Sequence, residues 1–457
     1  MNFIKVLYEA LYGVLSALAA ALTAVMPPVL LAVGIYLGIK LRFFYILHPI
    51  KTSRLMFSRT RGGISPFRAA SMALAGTLGV GNITGVTAAI IAGGAGAVFW
   101  MWVSAFCAMS LKYAETALAV IYRRRGENGG SYGGAHYYIA DGLGIGARAA
   151  HRTGAFFAFL CIVNSLSVGN ILQTNAAATS VSSLTGMPEY AIGIIMAGLT
   201  ALIITGGAGR ISALTVKLIP VVSAAYILMC AAVIIGGIDM VPEIFADIID
   251  KAFSLRPAVS GAGGFMITRA IRYGVTRGVL TNEAGSGTSP AAHACAEASS
   301  AMSQGTLGIF EVFADTIVIC TLTAFTVLIA GDGIFSGTDA ASASIQAFSV
   351  LGDWSTAALA VIMLVFVFAT LIAQFYYGES ALRFICDTKR ARYVYIAVFS
   401  LCVLIGSVIT PQLMWLLTDI TVALMTTVNV ICLLFMKRQV IDCTDLGFSS
   451  REIHIQR

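Results

Sequence analysis

The chain has 457 residues, of which 58% are hydrophobic and 11% charged. A soluble domain carries about 25% charged residues, so a soluble fold of this size could not hide so much apolar surface, and a bilayer is its natural solvent. The net charge of +7 raises the possibility of a nucleic-acid partner, which the placement of that charge argues against below.

A membrane-spanning helix needs ~20 mostly apolar residues. Uncharged runs that meet this length lie at 10–39, 69–111, 153–188, 190–209, 218–238 and 354–378. Runs and breakers together predict about eleven passes. Their centres fall near Leu22, Gly79, Ser104, Ser165, Met196, Ala225, Leu280, Val318, Val365, Leu401 and Met425. The first run is too long for a removable signal peptide and shows no small-residue cleavage site. Pro27 and Pro28 predict a kink within it. The seventh pass carries Arg269, Arg272, Arg277 and Glu283, and hydropathy alone would miss it. The 46 glycines suit close packing of spanning helices. The nine cysteines, such as Cys107, Cys161, Cys230, Cys320 and Cys402, read as small core residues, since they lack metal-like spacing.

With the N-terminus outside, 23 of the 29 Lys and Arg fall in the connections that become cytoplasmic and in the C-terminal tail. Only Lys5, Lys251 and Arg256 fall outside, and three sit in the seventh helix. External connections are acidic instead, with Asp239, Glu243, Asp247 and Asp250, then Asp332, Asp339 and Asp353. This is the positive-inside pattern. The basic charge is therefore topological, and no nucleic-acid partner is expected.

Two stretches are wrong for ordinary spanning helices. One reads Gly76-Thr77-Leu78-Gly79-Val80-Gly81-Asn82-Ile83-Thr84-Gly85. The other reads Leu280-Thr281-Asn282-Glu283-Ala284-Gly285-Ser286-Gly287-Thr288-Ser289-Pro290. Unwound backbone is tolerated at membrane depth only where it is buried in protein or lines a cavity. The exposed half-helix ends favour a carboxylate at the N-terminal end and a cation at freed carbonyls. The breaks lie five helices apart, as expected of paired discontinuous helices in an inverted five-plus-five repeat. Small-residue packing is the plainer explanation for the glycines alone. Glu283 beside Asn282 tips the reading to a binding site, because an intramembrane carboxylate is costly.

At these residues the sequence resembles the sodium:alanine symporter family, whose members are alanine or glycine:cation symporters. The family's first broken helix has a Gly-Thr-Gly-Asn-Ile core, which here reads Gly79-Val80-Gly81-Asn82-Ile83. Gly-Ala-Val-Phe-Trp-Met-Trp-Val at 96–103 and Lys112-Tyr113-Ala114-Glu115 resemble its next helix. Gly169-Asn170 with Gln173, the segment 278–285, Phe313-Ala314-Asp315-Thr316-Ile317-Val318 and Tyr376-Tyr377-Gly378-Glu379 supply further blocks. Six blocks in order are specific together, and the match covers nearly the whole chain.

The resemblance implies an all-α membrane protein of the leucine-transporter type with one extra N-terminal helix. The divisions would be 12–39 for the extra helix, 66–238 for the first repeat, 262–436 for the second and 437–457 for a cytoplasmic tail. It also implies symport of sodium with alanine, glycine, glutamine or a similar small neutral amino acid, across a bacterial-type inner membrane. By position, the substrate would meet Gly79, Gly81, Asn82, Gln173, Asn282, Glu283, Leu371 and Gln374. Sodium, as coupling ion, would meet oxygens at Ala75, Leu78, Ala369 and Thr370. No further cofactor is implied. Val80 stands where the family has Thr, Ala369 where it has a hydroxyl residue, and Gln374 where a Trp usually stands. A Trp would wall off a small side chain, whereas Gln opens polar room. Ala135-His136 replaces a usual Pro-Met pair.

Other residues have structural readings. Asp315 could ligate sodium or pair with an arginine such as Arg272; pairing is favoured because buried charges need partners. Asp419 is similar. Lys112 and Glu115, three apart, read as a helix-end pair. Trp100 and Trp102 read as packing or interfacial residues, Arg123, Arg124 and Arg125 as an orientation signal, and His136 and His151 as loop residues. A proton-coupled transporter of the same fold is the rival reading, with Glu283 as the proton carrier. A channel fits less well, and no HExxH, GxSxG or carboxylate-metal pattern points to an intramembrane enzyme.

Overall fold

A computed structural model describes residues 2–56, 63–126, 129–253, 263–297, 300–331, 333, 340–409 and 412–455. Arg59, Arg61, Arg256, Asp332, Asp339 and Arg457 lie outside the described residues. The chain is almost entirely helical, as a bilayer requires, since every backbone polar group there must be satisfied within the protein. Eight helices among the described residues are long and apolar enough to cross a membrane, and a bent pair supplies a ninth candidate. Every expected centre falls on a helix or at a break. The fifth and seventh centres fall on Glu189–Ile204, which is short, and Gly263–Asn282, which is too polar to qualify by hydropathy. The first helix runs unbroken from Asn2 to Lys40 through Pro27 and Pro28.

The outer face shows what it packs against. On the helix Gly207–Gly236, Val221, Leu228 and Ile235 repeat every seven residues and are 69–71% exposed, a stripe facing lipid rather than protein. The core is continuous and gathers around the Gly96–Ile121, Ala301–Val312 and Asp353–Ile385 helices.

Both breaks form where the sequence places them. Ser65 accepts from the Arg68 amide at 3.3 Å and Pro66 follows, which starts the helix Pro66–Thr77. That helix stops at Thr77. Leu78 and Gly79 are extended, one tight turn covers Val80–Asn82, and the helix resumes at Thr84–Gly93, bent by 65° from the first half. The second break begins at Glu283, a non-glycine residue at φ 51°. Gly285 and Gly287 follow at φ 84° and 74°, a region open to glycine at little cost. A Cβ on Gly287 would also lie 2.7 Å from the Phe157 ring.

The segment 284–304, which the charge pattern counts among the cytoplasmic connections, is not an exposed loop. Instead 284–296 is almost fully buried, and Pro290–Ala294 forms a short helix that continues the broken one. Its small, uncharged residues pack among other helices. His136 and His151 also lie on helices, Ala135–Gly142 and Ala147–Leu166. His136 bonds the Ser380 carbonyl at 3.1 Å, and burial pulls its imidazole down to about 3. Burial thus favours its neutral form.

Candidate functional site

A cavity of about 680 Å³ runs between the two breaks, within the usual range of ~300–1,000 Å³ for small-ligand sites. Its mouth lies at helix ends near Glu189, Ala340, Val408 and Trp415. Arg277 sits at this mouth, with its guanidinium 5.4 Å from the Trp415 ring. The cavity floor carries Gly76, Gln173, Glu283 and Gln374.

Gln374 ties the floor together. Its Nε2 donates to Glu283 Oε1 at 2.8 Å and to the Gly76 carbonyl at 3.4 Å. It thus spans both breaks from a third helix. Its Oε1 is buried without a partner among the described residues. The other Glu283 oxygen accepts from the Thr288 hydroxyl. Gly169 makes room for this arrangement, because a Cβ there would lie 2.6 Å from Gln374 Cβ. Gly169 sits in a π-helical turn, Ser167–Leu172, and such bulges recur at functional sites. Gln173, one turn on, accepts from the Val80 amide at 3.4 Å.

Of the substrate residues the resemblance implies, Gly81, Gln173, Glu283 and Gln374 line the cavity. Gly79 is buried between Gln173 and Thr370. Leu371, Asn82 and Asn282 lie behind the wall, at most 2% exposed. Asn82 Oδ1 accepts from the Gly79 amide at 3.1 Å, and Asn282 Oδ1 accepts from the Ala284 amide at 3.0 Å. Both asparagines therefore hold the broken backbone in shape. Among the implied sodium ligands, the Thr370 hydroxyl lies 3.2 Å from the Leu78 carbonyl. Ala75 and Ala369 are fully buried, and the Ala369 side chain has no oxygen to offer. The Thr370 hydroxyl donates to the Leu78 carbonyl, which belongs to the unwound backbone of the first break.

Two expected pairs do not form. Asp315 bonds Asn82 at 2.7 Å and Thr316 at 2.9 Å, not Arg272. Arg272 is exposed and lies beside a small pocket with Asp419. Lys112 does not pair with Glu115. It sits mid-helix and fully buried, bound to Glu311 at 3.1 Å and to Ser289 at 2.7 Å. Glu115 instead accepts from the Gly287 amide at 3.0 Å and from Asn429. Three-residue spacing brings charges close on a solvated helix face. On a helix buried all round, tertiary partners compete and win. Trp100 and Trp102 pack as expected, donating to the Ala252 carbonyl at 3.3 Å and to Thr321 at 2.8 Å.

His293 and Asn429 carry no sequence signal beyond a polar side chain in an apolar setting, whereas Thr281 and Ser289 lie in the second break and Thr316 in a family block without a role of their own.

Comparison with known proteins places these features in context. Residues 7–452 match the model of the sodium:alanine symporter family. The chain is 35% identical over 424 residues to the sodium/alanine symporter AgcS of Methanococcus maripaludis, covering 90% of this chain and 92% of that protein. It is 34% identical over 417 residues to the probable sodium/glutamine symporter GlnT of Bacillus subtilis, covering 90% and 84%. Among solved structures, a manganese transporter of Eremococcus coleocola aligns with a TM-score of 0.54 at 14% identity, covering 81% of this chain and 78% of that one. A sodium-coupled sialic acid symporter aligns at 0.51 and 11%, covering 91% and 86%. These likenesses show the leucine-transporter-type fold.

Proposed function

The chain belongs to the sodium:alanine symporter family, and from that premise we propose that it carries a small neutral amino acid across a bacterial-type inner membrane, coupled to sodium. It is a multi-pass transporter rather than an enzyme. The observation that carries the proposal is the cavity floor, where Gln374 joins the two breaks beside Gln173 and Glu283.

In the proposed cycle the substrate carboxylate docks on amides of the first break. The ammonium meets freed carbonyls, Gln173 or Glu283. Sodium at Leu78 and Thr370 joins the first broken helix to Asp353–Ile385. With the N-terminus outside and the C-terminus cytoplasmic, as the charge pattern favours, the mouth of the cavity faces outward. Sodium then favours the outward-open state, and joint occupancy permits the bundle to rock and open inward. Each of the two proposed repeats, 66–238 and 262–436, would supply one broken helix to the site.

Gln374 sets the substrate expectation. A Trp there would close the floor, whereas Gln leaves polar space beside Glu283. Glutamine therefore joins alanine and glycine as a candidate. Gln374→Trp is expected to cut glutamine uptake relative to alanine uptake by about tenfold, the order of discrimination that one pocket contact supplies. Radiolabelled amino acids presented to purified protein in liposomes measure this. An unchanged ratio would remove Gln374 from the specificity site. The proton-coupled rival draws on Glu283, a half-buried carboxylate on the cavity wall with no salt bridge among the described residues. Replacing sodium by choline at fixed pH separates the two.

A further inference from the structure

Glu115 is fully buried in the last third of the helix Gly96–Ile121, which leads to Arg123, Arg124 and Arg125. A carboxylate inside a membrane protein is costly unless it is paired or neutralised. No salt bridge among the described residues includes Glu115. Lys112, one turn earlier, is committed to Glu311 at 3.1 Å and to Ser289 at 2.7 Å.

The two carboxyl oxygens are treated unequally. Oε1 accepts from the Gly287 amide at 3.0 Å and from Asn429. Oε2 is buried and has no partner among the described residues. Asn429 is itself fixed: its Nδ2 also donates to the Gly285 carbonyl at 2.9 Å, and its Oδ1 accepts from the Tyr138 hydroxyl. Glu115 and Asn429 thus clamp the two left-handed glycines that follow Glu283, whereas the cavity mouth lies by Arg277, before the break.

The surrounding titratable groups leave Oε2 alone. Lys112 shares the helix, with Glu311 and His293 behind it. Tyr138 faces Glu115 from Ala135–Gly142, with Cys432 beside it. Glu283 turns to Gln374 and Thr288. Two effects therefore compete at this carboxyl. The donors on Oε1 favour the charged form, and burial of a bare Oε2 favours the protonated one. Water on Oε2 would remove the second effect. The end of the helix at Ile121 is about 9 Å away at ~1.5 Å per residue, so a modest opening below the break would admit it.

We propose that Glu115 is a proton-binding site. The carboxyl carries a proton on Oε2 while the second break is packed against it. When that packing opens toward Ile121, the O–H bond breaks, its electron pair stays on the carboxylate and the proton passes to water. The proton returns when the packing closes. It thus accompanies the conformational step and is separate from the ligands of the cavity floor and from Thr370. This rests on the reading of the chain as an alternating-access symporter.

A proton held more tightly in the closed form favours that form as pH falls, by up to about tenfold per pH unit. Sodium-driven alanine uptake into liposomes, with equal pH on both sides, tests this. The wild-type rate should fall several-fold between about pH 8 and about pH 6. Glu115→Gln keeps an oxygen for the Gly287 amide and carries no titrating proton, so its uptake should no longer vary with pH. A Glu115→Gln variant with the wild-type pH profile would overturn the proposal. So would a wild-type rate that is flat over this range, a result that needs no variant to fold. Folded wild type without uptake at any pH would overturn the symporter reading as well.

Discussion

Replacing Lys112 with methionine is expected to leave little folded protein. Lys112 Nζ lies 3.1 Å from Glu311 Oε1, and both side chains are fully buried. The other Glu311 oxygen lies 2.9 Å from His293 Nε2, and His293 Nδ1 lies 2.8 Å from Gln304 Nε2. Gln304 Nε2 also donates to the Pro66 carbonyl at 3.4 Å, which fixes the orientation of its amide. An amide nitrogen only donates, so His293 Nδ1 accepts and Nε2–H points at Glu311. The network pins the start of the first broken helix, the far half of the second, and the helices Gly96–Ile121 and Ala301–Val312. Removing one partner of a buried ion pair costs about 3–5 kcal/mol, because the other charge is left uncompensated. Replacing both by apolar groups is often near neutral. Thermal unfolding in detergent should therefore show a large loss for Lys112→Met and substantial recovery when Glu311→Leu is added. A double variant as unstable as the single would mean that the pair matters for more than charge balance.

Thr370→Val should raise the sodium concentration for half-maximal uptake by at least about tenfold, ~1.4 kcal/mol. Ala369 stands where a second hydroxyl is usual, so Thr370 supplies the only side-chain oxygen of the proposed ligand set, 3.2 Å from the Leu78 carbonyl. Valine keeps the shape and removes the oxygen. Alanine uptake at saturating sodium should return toward the wild-type rate. An unchanged sodium dependence would place the coupling ion elsewhere.

These two expectations come from different depths of the sequence. The breaks were legible because glycine, asparagine and hydroxyl residues at membrane depth have few structural excuses. Both broke where expected, at Leu78 and at Glu283. The polar seventh helix was legible through spacing and charge, although hydropathy misses it. Thr370 and Gln374 came from family resemblance by position, and no local pattern singles them out. The ion pairs were misread because sequence shows only neighbours along the chain. Lys112 finds Glu311 about two hundred residues away, and Glu115 finds Asn429. Asp315 stands out in the sequence as a carboxylate in an apolar run, which predicts a charged partner. The structure offers it Asn82 and Thr316 instead.

Alanine, glycine and glutamine uptake into liposomes holding the purified protein, driven by an inward sodium gradient, tests sodium-coupled amino-acid transport most directly. Accumulation of at least one of them against its own gradient is expected with sodium outside, and should vanish when choline replaces sodium at fixed pH. Equal accumulation in choline would contradict sodium coupling.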